Sequence, residues 1–470
     1  MSLIRGKAEF WIVASVVAIG TFLRFFQITR ESLWLDETYS WLVASKPVLQ
    51  IFAWMPNDRH PPLYYLTLHF WMYLGDSELV LRSLSAILGI LTIVAVYFVA
   101  REFFGWKVAA VASLLVAISP VNILYSQETR MYSMLTLLAL ISIYLLSKAV
   151  GDGKKKWWVF YALATTAMIY THYYGLFVLM AEIVFLFGYI AVKKDINVAV
   201  PSMFACAGIM FAYVFWVPTF IHQAVSGVPN WITVNDFLVW VRGFTMLGGD
   251  FLPEIRGWHW HDNLFGALLF GLFIYGVFIA WKNRSTGGII LALSVVLTFA
   301  LSFAISLKKP VYVTRYTVFL APECIMLLSL ALISIWNRLG KYYAIGLVLV
   351  LLALNIYQLS VYYPTPIRAQ VREASQYIQD NWEKGDIIIF DNPWGATIFN
   401  YYGTDSLKQM GLASVDVDEN TQRILETNNG IWLALYHNQD YRLMDWFNGL
   451  YIRAEDKQLV GVRIIYYDIQ

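Results

Sequence analysis

The feature that most constrains this chain is a recurrence of apolar runs, each about 18–22 residues long and each long enough to cross a bilayer core. They fill the first three quarters of its 470 residues. A backbone inside lipid must satisfy its own hydrogen bonds, so such runs fold as helices. With 59% of residues hydrophobic and 14% charged, the composition excludes an ordinary soluble enzyme. Spans are predicted near 8–28, 79–100, 106–124, 131–148, 157–171, 174–192, 197–219, 264–281, 287–306, 315–335 and 342–361. No Ala-x-Ala site follows the first, so it reads as a retained span rather than a signal peptide. Cys206 and Cys324 fall inside apolar runs and read as core residues, not a disulfide framework. The net charge of +2 points to no class of partner, and nothing supports nucleic acid binding.

Basic connectors alternate along the spans. Arg5, Lys7, Arg101, Lys107, Lys148, Lys154–Lys156, Lys193, Lys194, Lys282, Arg284, Arg338 and Lys341 all fall on one side. The positive-inside rule makes that side cytoplasmic. The expectation is a multi-pass protein of the plasma membrane, with the N-terminus inside and the first loop and everything after Tyr362 outside. Residues 61–75 are apolar and aromatic but too short for a span, and a crossing there would invert the alternation. They read instead as a re-entrant or juxtamembrane helix opening at Pro61-Pro62.

The expected organisation is a transmembrane catalytic domain over 1–362 and an extracytoplasmic α/β domain over 363–470. The first domain carries an extracytoplasmic loop at 29–78 and another at 221–262, rich in Trp, Gly and His. In the second, a helix over Arg368–Glu383 leads to a strand at Ile387–Phe390. Further strand signals lie at Ile431–Tyr436 and Val460–Tyr467, with a helical stretch near Asp440–Asn448 between them.

The first external loop carries adjacent carboxylates, Asp36 and Glu37, in Leu-Trp-Leu-Asp-Glu-Thr-Tyr, and then Asp58-Arg59-His60-Pro61-Pro62-Leu63-Tyr64-Tyr65. Charges at a membrane surface are costly and mark function. A helix starting near Leu35 turns neighbours about 100° apart, so one carboxylate faces a reaction and the other binds or supports. Asp36 is the chosen base, although an acidic first turn also stabilises a helix by itself. Arg24, Arg82, Arg130 and Arg315 sit at external span ends, against the positive-inside bias, close to Glu128. A guanidinium there can simply snorkel to water, but four on one face suit a phosphate. His60 is either a donor to that phosphate or a helix cap. Thr171-His172-Tyr173-Tyr174-Gly175 forms another external turn, able to shape a sugar pocket or to sit in an aromatic belt.

In this order the motifs resemble the GT-C membrane glycosyltransferases of the protein mannosyltransferase and aminoarabinose lipid A transferase (ArnT-like) superfamily. The residues that carry it are Leu35-Asp36-Glu37, His60-Pro61-Pro62-Leu63-Tyr64-Tyr65, Leu81–Ala86, Ser119-Pro120 and Gln127–Tyr132. Where that family more often has Ser-Arg-Glu-Ala-Arg-Met-Tyr, this chain has Gln127 and Thr129, leaving Glu128, Arg130 and Tyr132 matched. The resemblance implies a GT-C fold of about 11 transmembrane helices. It also implies an inverting transfer of a hexosyl or pentosyl unit from a polyprenyl- or dolichyl-phosphate donor to an acceptor hydroxyl of a cell-envelope glycan, lipid or protein.

Chemistry agrees with this reading. A lipid-phosphate sugar needs one base for the incoming hydroxyl and cations for the leaving phosphate. Asp36, Glu37 and Glu128 are the expected catalytic residues, and Arg82, Arg130, Arg315 and His60 the phosphate ligands. Tyr64, Tyr132, His172 and Tyr173 are expected to line the substrate. No spacing matches a zinc pattern, so neither an obligatory divalent metal nor another cofactor is expected. The rival is a transporter or flippase of a lipid-linked or small polar substrate, which calls for inverted repeats and midplane polar residues. An oligosaccharyltransferase would need Trp-Trp-Asp-x-Gly, which is absent.

Overall fold

The computed structural model describes residues 2–226, 260–391, 393–412, 425, 427–436 and 441–469. Most of the predicted 221–262 loop lies outside the described residues. Contacts divide the chain into a helical unit (Met1–Phe26, Pro47–Tyr73 and Arg82–Tyr362) and a mixed unit (Gln27–Lys46, Leu74–Leu81 and Tyr363–Gln470).

In chain order the helices are α1 (Ser2–Phe25), α2 (Leu35–Ala44), α3 (Val48–Trp54), α4 (Leu63–Trp71), α5 (Glu78–Phe104), α6 (Trp106–Ile118) and α7 (Pro120–Ser126). They continue with α8 (Tyr132–Asp152), α9 (Lys155–Ile169), α10 (Gly175–Lys193), α11 (Ile196–Val214) and α12 (Val217–Val225). After the undescribed stretch come α13 (Trp260–Lys282), α14 (Thr286–Ser306), α15 (Ala321–Leu339) and α16 (Lys341–Tyr362). Each of the eleven predicted spans is largely helical, but that at 197–219 turns at Phe215-Trp216 between α11 and α12, and that at 315–335 opens in short 3₁₀ turns before α15. Among the described residues eight pass as membrane spans by length and hydropathy: α5, α8, α10, α11, α13, α14, α15 and α16. Helix starts follow local chemistry: Asp195 caps α11 by accepting from Asn197 N–H at 2.9 Å, and Ser285 caps α14 by accepting from Gly288 N–H at 3.2 Å.

The predicted span at 106–124 is not one straight helix. α6 and α7 meet at a 58° bend, and would make a ninth span if counted together. Ser119 is extended and Pro120 has no N–H to continue the ladder, so the break is written in the sequence. The apolar stretch at 61–75 forms the nine-residue α4. α15 lies at the centre of the helical unit, with 83% of its apolar window buried. A Cβ on Gly276 of α13 would stand 2.0 Å from the Leu327 carbonyl oxygen, so only glycine lets these two helices approach so closely.

The mixed unit holds α2 and a five-stranded sheet ordered β2-β1-β3-β5-β4. Its strands are β1 (Ile387–Phe390), β2 (Gln409–Gly411), β3 (Gly430–Tyr436), β4 (Ile452–Leu459) and β5 (Val462–Asp468). Strand β1 runs parallel to β2 and β3, while β5 is antiparallel to β3 and β4. Alternation gives each face a core. Ile388, Phe390, Trp432 and Ala434 meet α17 (Val371–Asp380) and α18 (Pro393–Tyr401). Ile387, Ile389, Ile431 and Leu433 meet Leu443 and Phe447 of α19 (Tyr441–Leu450). The predicted strand at Val460–Tyr467 is the second half of a hairpin, turning at Gly461 with φ +67°. Strand β4 escapes sequence reading because it is an exposed edge carrying Glu455, Asp456 and Lys457.

Candidate active site

In the helical unit, the motif residues converge on a few turns. Asp58 Oδ1 accepts from the backbone N–H of Arg59 and, at 3.2 Å, of His60, which fixes the turn ahead of Pro61-Pro62. The N–H of Leu63, first residue of α4, donates to the Tyr170 carbonyl at 3.0 Å, tying that turn to the one after α9. His60 and His172 thereby stand 5.2 Å apart by ring centroids, and Tyr316 packs on both, at 6.2 and 5.2 Å. Tyr132 packs 6.2 Å from His172. The Arg315 guanidinium lies 5.9 Å from the Tyr316 ring.

Arg82 and Ser85 share a face of α5, being three residues apart. Ser85 Oγ donates to the Arg130 carbonyl at 3.2 Å and lies 3.5 Å from the Tyr64 hydroxyl. Arg82, Glu128 and Arg130 are all buried, Arg82 to 1% exposure. The structure thus gathers Tyr64, Arg130, Tyr132, His60, His172 and Tyr316. Tyr173 is committed elsewhere: its hydroxyl donates to Gln223 and accepts from Trp216 Nε1 at 3.1 Å.

The electrostatics of the cluster follow from burial. Burial, followed by the charges of His60 and Arg130, holds the His172 imidazole well below its usual range, so it is neutral. Its Nδ1 accepts from Tyr174 N–H at 3.1 Å, which leaves the proton on Nε2. That Nε2 is buried and has no hydrogen-bond partner among the described residues. Burial alone would raise Asp58, but His60, the Arg59 N–H and the Arg130 charge outweigh it and hold the carboxyl below its usual range.

In the mixed unit, Asp36 and Glu37 occupy the first turn of α2. Asp36 is half-buried and Glu37 fully buried. Arg368 Nη1 pairs with Glu37 Oε2 at 2.6 Å, and the same guanidinium lies 6.0 Å from the Trp34 ring. Neighbouring Tyr436 has its phenol pushed up to about 12, by burial and then by the Asp36 and Glu37 charges. Among the described residues no three His, Cys, Asp or Glu are grouped to hold a metal.

Residues 59–222 match the model of the dolichyl-phosphate-mannose-protein mannosyltransferase family. The fold resembles ArnT from Cupriavidus metallidurans in the apo state, with TM-score 0.64, 15% identity and 98% of each chain covered. The same protein bound to undecaprenyl phosphate matches with TM-score 0.61, 15% identity and 97% of each chain covered. The archaeal oligosaccharyltransferase AglB from Archaeoglobus fulgidus, solved with an inhibitory peptide and a dolichol-phosphate, gives TM-score 0.56 at 12% identity. That match covers 98% of this chain and 74% of the other. The chain shares the fold of these proteins. By sequence, no curated protein matches it.

Within this fold several residues do work that sequence reading missed. Gln127 Nε2 donates to the carbonyls of Arg24 at 3.1 Å and Phe26 at 2.9 Å, at the end of α1, while its Oε1 accepts from Tyr362 OH at 2.9 Å. An amide can serve both sides of that junction; an arginine there has no acceptor to offer. Arg24 reaches into the α6–α7 break: Nη1 donates to the Ala117 carbonyl at 3.0 Å, Nη2 to Val116 at 3.3 Å and Nε to Ser126 Oγ at 3.2 Å. Gly89 leaves the space, since a Cβ there would meet Ser126 Oγ at 2.1 Å. Nor do all carboxylates sit at one face. Glu182 and Glu323 are fully buried in α10 and α15, and Glu182 accepts from Ser142 at 2.6 Å and Tyr161 at 3.0 Å. A lone Glu in an apolar helix was the available signal.

Proposed function

We propose that this protein is an inverting GT-C glycosyltransferase that uses a polyprenyl- or dolichyl-phosphate sugar on the extracytoplasmic side of the membrane, a multi-pass protein with its N-terminus in the cytoplasm. The acceptor hydroxyl attacks the anomeric carbon, its proton passes to the Asp36 carboxylate, and the bond from that carbon to the phosphate oxygen breaks. The lipid phosphate leaves with both electrons of that bond, stabilised by Arg82, Arg130, Arg315 and the His60 and His172 imidazoles. Glu37, held by Arg368, supports the helix that presents Asp36. Glu128, two residues before Arg130 and joined to it by a backbone hydrogen bond of 2.8 Å, is a positioning residue for that arginine.

The observation that carries the reading is His172 Nε2: a neutral donor, buried in the same cluster as Arg130 and without a partner among the described residues. Such a donor costs about 1–3 kcal/mol unless an acceptor fills the site, and a phosphoryl oxygen is the acceptor that guanidiniums also favour. The matched ArnT structure with undecaprenyl phosphate supports the same donor class. Binding of undecaprenyl phosphate to the purified chain tests it. Arg82→Ala, Arg130→Ala and His172→Ala should each weaken affinity about 10- to 100-fold. Unchanged affinity in all three would remove the phosphate site.

A further inference from the structure

The mixed unit contains an open depression of about 420 Å³, a volume within the range of small-ligand sites. Three distant stretches of chain build it: Trp41 on α2, Asp76 to Leu79 at the start of α5, and Arg372, Tyr401 and Tyr402 from α17 and α18. Its walls are rigid. Tyr402 OH donates to Glu78 Oε1 at 2.6 Å and Arg372 Nη1 to Glu78 Oε2 at 2.9 Å, so both oxygens of this 9%-exposed carboxylate are fixed. Arg372 Nη2 also donates to the Arg30 carbonyl at 2.9 Å. Tyr401 OH donates to the Asp76 carbonyl at 2.8 Å, and its ring meets Trp41 edge-on at 5.1 Å. A preformed corner of two rings stands beside an ordered row of carboxylates and a guanidinium.

The chemistry selects the ligand. Aromatic walls bind a flat apolar face, while the Glu78–Arg372 pair and the exposed Asp76 hydrogen-bond a periphery of hydroxyls. A pyranose ring offers both. Two carboxylates against one guanidinium disfavour an anion, so the sugar is neutral or carries an amine. Trp41 and Asp36 lie on the same helix, five residues and about 7.5 Å apart along its axis, turned about 140° from each other. The depression is therefore a subsite apart from the base.

We propose that it is a saccharide subsite that takes a neutral or amino sugar unit of a glycan acceptor; the acceptor role, unlike the binding, rests on the transfer reaction proposed above. The full-length protein in lipid nanodiscs is presented with the methyl glycosides of glucose, galactose, N-acetylglucosamine and glucosamine, and with glucuronic acid. Saturation-transfer NMR reads binding. At least one neutral or amino glycoside should bind in preference to glucuronic acid, with affinity at least about tenfold weaker in Trp41→Ala and Tyr401→Ala. Should either variant lower the melting temperature, Leu79→Trp fills the depression from its 47%-exposed rim and should block binding. Undecaprenyl phosphate binding is measured in parallel. It should stay within twofold in Trp41→Ala, so loss of the saccharide signal and failure of the donor reading are told apart. Sugars that bind no variant differently, or glucuronic acid binding best, would overturn the proposal.

Discussion

Arg368 sets its Nη1 2.6 Å from Oε2 of Glu37, whose side chain is fully buried. The pair anchors the first turn of α2 and separates the roles of two adjacent carboxylates. Removing Arg368 takes the opposite charge away from a buried carboxylate. Arg368→Ala should therefore cost about 3–5 kcal/mol, and Glu37→Leu/Arg368→Leu together should recover much of it. Thermal unfolding of the three proteins checks this. A double variant no more stable than Arg368→Ala would show that the pair is not what holds the turn.

Arg24 and the phosphate arginines should behave differently. Arg24→Met keeps the apolar stem but strands the carbonyls of Val116 and Ala117 at the α6–α7 break, at about 1–3 kcal/mol for each left unsatisfied. The melting temperature should fall while undecaprenyl phosphate affinity holds. Lower affinity at an unchanged melting temperature would move Arg24 into the phosphate set.

At Gln127 the amide joins α1 to Tyr362. Gln127→Glu loses the N–H donors to the Arg24 and Phe26 carbonyls and should destabilise, whereas Tyr362→Phe loses one hydrogen bond and should cost about 1 kcal/mol. A Gln127→Glu protein as stable as the wild type would contradict the junction.

This contrast shows what the sequence could reveal. Apolar runs of spanning length located every predicted helix, because in lipid the backbone has one solution. The break at Ser119-Pro120 was visible as a proline, yet its consequence was not: the carbonyls it frees are met by Arg24, almost a hundred residues earlier. The same holds for Glu37 and Arg368, 331 residues apart. Spacing shows that two residues share a helix face, but it carries no signal for pairing across the fold. Edge strand β4 was hidden for another reason, since its charges face water and keep other chains off the sheet edge rather than marking a core.

Acid should destabilise the protein in two steps. His172 has its imidazole held below the usual 6.5 by burial and then by the His60 and Arg130 charges. The unfolded chain takes up that proton first, so stability is full above about 6.5 and falls as pH drops below it, by up to ~1.4 kcal/mol per unit. Asp58, whose carboxyl is held below the usual 3.8, adds stability that is present above that value and lost only as pH falls below it. Melting temperatures across pH should show the first slope vanish in His172→Gln and the second remain. An unaltered profile in that variant would assign the first slope to another group.

The central claim is that Asp36 takes the acceptor proton while a lipid phosphate departs. The most direct measurement is sugar transfer by the purified protein from radiolabelled polyprenyl-phosphate sugars to membrane acceptors, comparing wild type with Asp36→Asn. The expected result is a loss of about 10²- to 10⁴-fold in transfer rate, with undecaprenyl phosphate affinity and melting temperature unchanged. Equal transfer by the two proteins would contradict it.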